Sequence, residues 1–173
     1  MISQKMQDAF NDQINAELYS SYLYLAMSGY FESVNLPGCG NWMRVQAQEE
    51  IVHAMKMYHF VVERGGRVEM QPIEGPPKEW DSPLAAFEAG YGHEQKVTAR
   101  INNLMDTAIG EKDHASQIFL QWFVSEQVEE EASADEVVQQ FKKVGDKGHV
   151  ILMLDRELGK RSFAYPASIS EED

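Results

Sequence analysis

The chain predicts an all-α fold: a four-helix bundle with one long crossover connection and a short fifth helix at its C-terminal end. Three observations carry this expectation. Four of the six prolines (Pro72, Pro76, Pro77, Pro83) fall in one short stretch and leave long proline-free segments on either side, and a helix interior excludes proline. In those segments apolar residues recur every three or four positions, the period of a helix and not of a strand. The stretch 67–81 between them has no helical signal and is long enough to run the length of a bundle. Connections of that length are uncommon in compact domains and usually serve a purpose.

Each element has its own signals. Ser3 can cap a first helix over about 4–33, ended by Asn35-Leu36-Pro37-Gly38. A second helix, about 39–64, stops at Gly65-Gly66. Pro76-Pro77 bars a helix from the segment that follows, and Asp81 or Ser82 then caps a third helix, about 83–110. Pro83 sits in its first turn, where the missing N–H costs nothing. Asp113 opens a fourth helix, about 114–144, broken by Gly145 and Gly148, and a fifth follows at about 149–160 through Val150-Ile151-Leu152-Met153-Leu154. Helices one and two are joined by a few residues, as are three and four, so each pair forms an antiparallel hairpin. The crossover then sets helices two and three parallel. The expected domain spans 1–160, with a flexible acidic tail over 161–173.

Composition narrows the classes of function. A chain of 173 residues is one domain in size, and such a domain buries about two-thirds of its unfolded surface without needing a disulfide or metal staple. Hydrophobic residues at 43% and charged residues at 25% exclude a disordered chain. No apolar run approaches the roughly 20 residues that span a bilayer, and the first residues lack the apolar core of a secretory signal. The single cysteine, Cys39, cannot form an internal disulfide or a thiolate metal cage, which fits a reducing cytoplasm. A net charge of −13 makes nucleic acid and anionic membrane poor partners. Surplus carboxylate is ordinarily a solvated face; its position decides whether some of it gathers cations.

Position favours gathering. In a bundle each helix turns an apolar stripe inward, and here every stripe carries a carboxylate near its middle. The third helix reads Leu84, Phe87, Tyr91, Glu94, Thr98, Ile101, Met105, Ala108, and the first reads Phe10, Glu17, Tyr24, Phe31. The fourth reads Phe123, Glu130, Val137, Val144, and the second Trp42, Gln46, Glu50, His53, Met57, Phe60. A buried carboxylate without a partner costs about several kcal/mol or is neutralised. The stripes contain no lysine or arginine to pair with these, so a cation is the compensation that remains. Glu50 and His53 lie one turn apart on one helix face, so both can bind the same ion. Oxygen-rich ligands with one imidazole suit iron or manganese. His59, His93, His114 and His149 show no such spacing, and Cys39 reads as structural.

The segments Glu17-Leu18-Tyr19-Ser20-Ser21-Tyr22-Leu23-Tyr24, Ala47-Gln48-Glu49-Glu50-Ile51-Val52-His53 and Ser125-Glu126-Gln127-Val128-Glu129-Glu130-Glu131 closely resemble those of bacterial non-haem ferritins, as does their spacing over about residues 1–160. The resemblance implies the ferritin-like form of the bundle and a ferroxidase centre on Glu17, Glu50, His53, Glu94, Gln127 and Glu130. Glu17 and His53 would hold one iron, Glu94 and Glu130 a second, and Glu50 would bridge them, with Gln127 acting through its amide. Glu49, Glu126 and Glu129 resemble a third iron site; as a solvated acidic flank of two helices they would look the same. Tyr24 and Trp122 match positions of oxidisable aromatics beside the centre, though plain core aromatics would also stand there.

The implied activity is oxidation of Fe(II) by dioxygen or hydrogen peroxide, and storage of Fe(III) mineral in a hollow homo-oligomer of 24 subunits. Haem is not expected, because Val52 stands where haem-binding relatives carry a methionine ligand. Two other readings remain at this stage. A di-iron oxidase or peroxide reductase of rubrerythrin type usually adds a cysteine-ligated iron, which one cysteine cannot build. A DNA-protecting mini-ferritin places its ligands between subunits and often has a basic arm, which this sequence lacks.

Overall fold

The computed structural model describes residues 1–145 and 147–164. Over these the chain forms α1 (Gln4–Ser33), α2 (Pro37–Glu63), α3 (Pro83–Gly110), α4 (His114–Val144) and α5 (Gly148–Leu158), with no strand among them. The caps are local chemistry. Ser3 Oγ accepts from the Met6 N–H at 3.3 Å, and Ser82 Oγ from Ala85 at 3.1 Å. Asp113 Oδ1 accepts from Ser116 at 3.2 Å. Each satisfies a donor that the first helical turn leaves orphaned. Ser82 is therefore the cap of α3, and Asp81 precedes it.

Two boundaries differ from the expectation. α2 begins at Pro37, because that proline occupies the first turn of α2 instead of marking the end of α1. The reversal is confined to Val34-Asn35-Leu36, with Asn35 in the left-handed region at φ 60°. α5 spans Gly148–Leu158, and Gly159-Lys160 form a turn beyond it. Of the tail expected over 161–173, residues 165–173 lie outside the described residues.

Contacts along the helices give their directions. Ser21 and Ser28 donate to the carbonyls of Ala47 and Gly40, each at 2.8 Å, so α1 runs antiparallel to α2 at close range. Phe31 packs on Phe87 while Arg100 reaches Gln13, so α1 is also antiparallel to α3. Thus α2 and α3 are parallel, as the crossover demands. At the far end of α2, Arg64 donates to both carboxylate oxygens of Asp113 at 3.1 Å, tying α2 to the start of α4. No described helix is long and apolar enough to cross a membrane.

The core is split. One apolar cluster, around Phe31, Met43, Phe87 and Phe141, fills the end of the bundle nearest the α1–α2 turn. A second, around Phe10, Met57, Ile101 and Leu120, fills the other. Between them lies a layer of buried polar side chains: Glu17, Gln46, Glu50, His53, Glu94, Gln127 and Glu130.

α5 packs on α2 and α4, and the buried Asp155 side chain ties it to α2. Asp155 accepts from the Cys39 N–H at 2.8 Å, at the positive end of α2. Burial pushes the Cys39 thiol well above its ordinary range, which leaves it unreactive. Glycine is required beside it, because a Cβ on Gly38 would stand 1.7 Å from the backbone oxygen of Asp155. Gly38→Ala should therefore cost about 1–3 kcal/mol of stability and release α5. Thermal melting and limited proteolysis before α5 measure both; an unchanged melting temperature with α5 still protected would contradict the docking.

Candidate metal centre

The polar layer brings one carboxylate from each of the four long helices together with one imidazole. The stripe positions place them there. Glu17 lies between Phe10 and Tyr24 on α1, Glu50 between Gln46 and His53 on α2, Glu94 between Phe87 and Ile101 on α3, and Glu130 between Phe123 and Val137 on α4, and all of these are buried. His53 Nδ1 lies 3.4 Å from Glu50 Oε2, one turn along α2. Glu17, Glu50 and His53 each offer a ligand atom within 4.8 Å of the others, and so do His53, Glu126 and Glu130. His53 is common to both groups. Phe123 and Trp122 meet its ring edge-on, at centroid distances of 5.9 and 5.4 Å, and hold its plane.

Three glutamine amides brace the carboxylates. Gln13 donates to Glu17 Oε1 at 2.8 Å, and Gln46 donates to Glu130 Oε2 at 2.6 Å and Glu50 Oε1 at 3.3 Å. Gln127 donates to Glu94 Oε2 at 3.2 Å, while the Tyr24 hydroxyl donates to Glu94 Oε1. Two oxygens are left over. Glu17 Oε2 and Glu50 Oε2 are buried and no amide or hydroxyl donates to them; what they meet is each other's carboxyl and the His53 ring, a gathering of acceptors that suits an ion. Both belong to the cluster around His53.

The electrostatics follow from crowding carboxyls in a buried layer. Burial, then the charge of Glu50, pushes the Glu17 carboxyl up to about 8. Burial, with Glu94 and Glu130 nearby, holds the Glu50 carboxyl well above its ordinary range, and burial also raises Glu94 and Glu130. Burial and the Glu94 carboxylate raise the Tyr24 hydroxyl, so it stays a donor. A multivalent cation reverses this balance by supplying the charge that the carboxylates lack.

The Ferritin-like domain family matches residues 7–144. The chain belongs to the ferritin family. A bacterial non-heme ferritin of Bacteroides fragilis is 46% identical over 161 residues, covering 93% of this chain and all of that one. Its counterpart in Staphylococcus aureus is 35% identical, covering 94% and 98%. An engineered closed form of the Archaeoglobus fulgidus ferritin superposes with a TM-score of 0.94 at 57% identity, covering 95% of this chain and all of that one. The open pore ferritin from the same archaeon gives 0.93 at 57%, covering 94% and 100%.

Within this ferritin fold the remaining sequence candidates are placed unequally. Glu126 stands with His53 and Glu130, whereas Glu49 is held by Arg161 at 2.5 Å and Glu129 is exposed. Neither Glu49 nor Glu129 joins a group of three ligand atoms among the described residues. Trp122 lies between His53 and Lys56, whose ammonium is 4.1 Å from its ring centroid. His93 is half-buried; it shares a 2.7 Å hydrogen bond with Ser20, and burial lowers it to about 4.

Sequence reasoning missed the bracing residues Gln13 and Gln46 as parts of the site. A signal existed: each stands four residues before a buried glutamate on its own helix, one turn back on the same face.

Raised carboxyls make the metal-free protein pH-sensitive. The unfolded chain loses the Glu17 proton near 4.5, whereas the folded chain keeps it to about 8. Between those values the unfolded state binds fewer protons, so stability falls as pH rises. The melting temperature of the metal-free protein should decline by several degrees from pH 5 to pH 8.5 beyond what an exposed-charge variant shows. Glu17→Gln should flatten that decline, and a profile equally steep in the variant would refute the assignment.

Proposed function

We propose that the chain is a ferroxidase and iron-storage subunit. It takes up Fe(II) in pairs at Glu17, Glu50, His53, Glu94 and Glu130, with Gln127 donating its amide to Glu94. It oxidises them with dioxygen or hydrogen peroxide, and the product is stored as Fe(III) mineral inside a homo-oligomeric cage of 24 subunits. The observation that carries this reading is the meeting of two carboxyl oxygens that no amide or hydroxyl satisfies, Glu17 Oε2 and Glu50 Oε2, buried beside His53 with ligand atoms within 4.8 Å of one another. A purely structural polar layer would use those lone pairs.

The donor set supports iron as substrate. Carboxylate oxygens with a single imidazole bind Fe(II) and Fe(III) and disfavour soft-metal chemistry. Two Fe(II) supply two electrons, which with two protons take dioxygen to hydrogen peroxide. The protons held by the raised carboxyls are displaced as metal binds. Tyr24, whose hydroxyl donates to Glu94, is an oxidisable aromatic in contact with the centre. Glu49, Glu126 and Glu129 would form a third iron site beside the pair. A charge of −13 per subunit favours cation collection. The reading places the protein in the cytoplasm, where the Cys39 thiol stays reduced. The ligand layer lies inside one bundle, which favours this reading over a mini-ferritin with ligands shared between subunits.

Glu50 faces both halves of the centre, so Glu50→Ala should abolish the rapid phase of oxidation after mixing with two Fe(II) per subunit. A Glu94 variant should mainly weaken the second ion. Stopped-flow absorbance reads this, and a native rate in the Glu50 variant would overturn the assignment. Replacing Glu49, Glu126 and Glu129 together with alanine should spare binding of the pair. It should alter the iron oxidised per dioxygen and slow regeneration, both measured with an oxygen electrode. Unchanged values would return the three to solvated surface.

A further inference from the structure

Two of the glutamines that brace the carboxylates are themselves held by arginines. Arg100 Nε donates to Gln13 Oε1 at 3.1 Å, and Gln13 donates to Glu17 Oε1. Arg161 Nη1 donates to Gln46 Oε1 at 2.9 Å, and Gln46 donates onward to Glu130 and Glu50. A guanidinium offers only donors, so each amide must turn its oxygen toward the arginine and its NH2 toward the carboxylates. In both relays the glutamine takes Oε1 of the α1 or α2 glutamate and leaves Oε2 without an amide donor. The oxygens left for metal are thus chosen by residues outside the centre.

Arg161 does more than Arg100. It follows α5, and its guanidinium lies 4.4 Å from the ring centroid of Trp42. Its own carbonyl accepts from Asn41 at 2.8 Å, so the segment is pinned to the first turns of α2. Its second terminal nitrogen, Nη2, donates to Glu49 Oε2 at 2.5 Å. Glu49 and Gln46 lie three residues apart on α2, and one planar fork spans both. Beyond it, Phe163 and Ala164 line a cleft of about 70 Å³ with Glu49, His53, Trp122 and Glu126. One cation from the C-terminal segment therefore touches both the brace of the pair centre and a carboxylate of the neighbouring acidic group.

We infer that Arg161 is a positioning residue with two opposed effects: through Gln46 it strengthens metal binding at the pair centre, and by occupying Glu49 it weakens binding of a third ion. The inference rests on the ferroxidase reading of the centre. Removing the guanidinium should free the Gln46 amide to rotate and bring its oxygen against Glu130. The same change should release Glu49 as a ligand. The two affinities should then move in opposite directions, which loss of packing alone cannot produce.

Anaerobic titration with Co(II), followed by absorbance and calorimetry on the full chain, reads each binding step without turnover. In Arg161→Met, which keeps an apolar stem on Trp42, pair binding should weaken about tenfold, the scale on which residues behind a metal ligand act. A third Co(II) should bind more tightly than in the native protein. In Gln46→Met, with Arg161 still on Glu49, pair binding should weaken by a similar factor while third-ion affinity stays native. Native affinities in Arg161→Met, or weakening of all steps together, would overturn the inference. A native protein that binds no Co(II) pair would instead overturn the ferroxidase reading, and this inference with it.

Discussion

Everything distinctive about this bundle follows from placing four carboxylates in one buried layer. An isolated buried charge costs about several kcal/mol, and like charges in contact add to that cost. The chain contains the cost in three ways. Burial and mutual repulsion keep protons on the carboxyls, glutamine amides satisfy one oxygen of each, and two complete apolar clusters on either side supply the packing that the layer lacks. The bundle is built as two hydrophobic cores that share four helices, with the carboxyl layer at the seam.

The braces show how specificity is obtained without burying a counter-charge. A lysine or arginine inside the layer would satisfy the carboxylates permanently and remove the attraction for a metal. Amides do not. Gln13, Gln46 and Gln127 orient the carboxylates as neutral donors, and the arginines that orient two of those amides remain near the surface. Positive charge thus acts on the centre through an intermediate dipole, while the interior keeps its surplus of carboxyl groups. The same economy explains the aromatic neighbours: Trp122 and Phe123 fix the plane of His53 by edge contacts, and Tyr24 uses its one polar atom on Glu94.

The short fifth helix and the residues after it belong to this arrangement more closely than their position in the chain suggests. Asp155 seals the start of α2 from one side, and Gly38 is small because the α5 backbone passes against it. That docking delivers Arg161 to the face of α2 that carries Gln46 and Glu49. A tertiary contact made far from the layer decides how one of its braces is turned.

The sequence by itself determined the helices, their pairing, and the four inward glutamates with His53. Those features depend on periodicity, proline placement and connection length, which are local. It also carried the family, because Glu17, the Glu50–His53 pair and the run Glu126 to Glu131 stand at characteristic spacings. Pro37 is ambiguous in the sequence, because a proline that ends one helix and a proline that begins the next look alike until the turn between them is seen. The tertiary structure alone decided which oxygens remain free, that Glu126 joins His53 and Glu130, and that Glu49 turns to Arg161. Helical periodicity states which face a residue occupies; it does not state which atom of a forked carboxylate meets a donor arriving from a segment more than a hundred residues away.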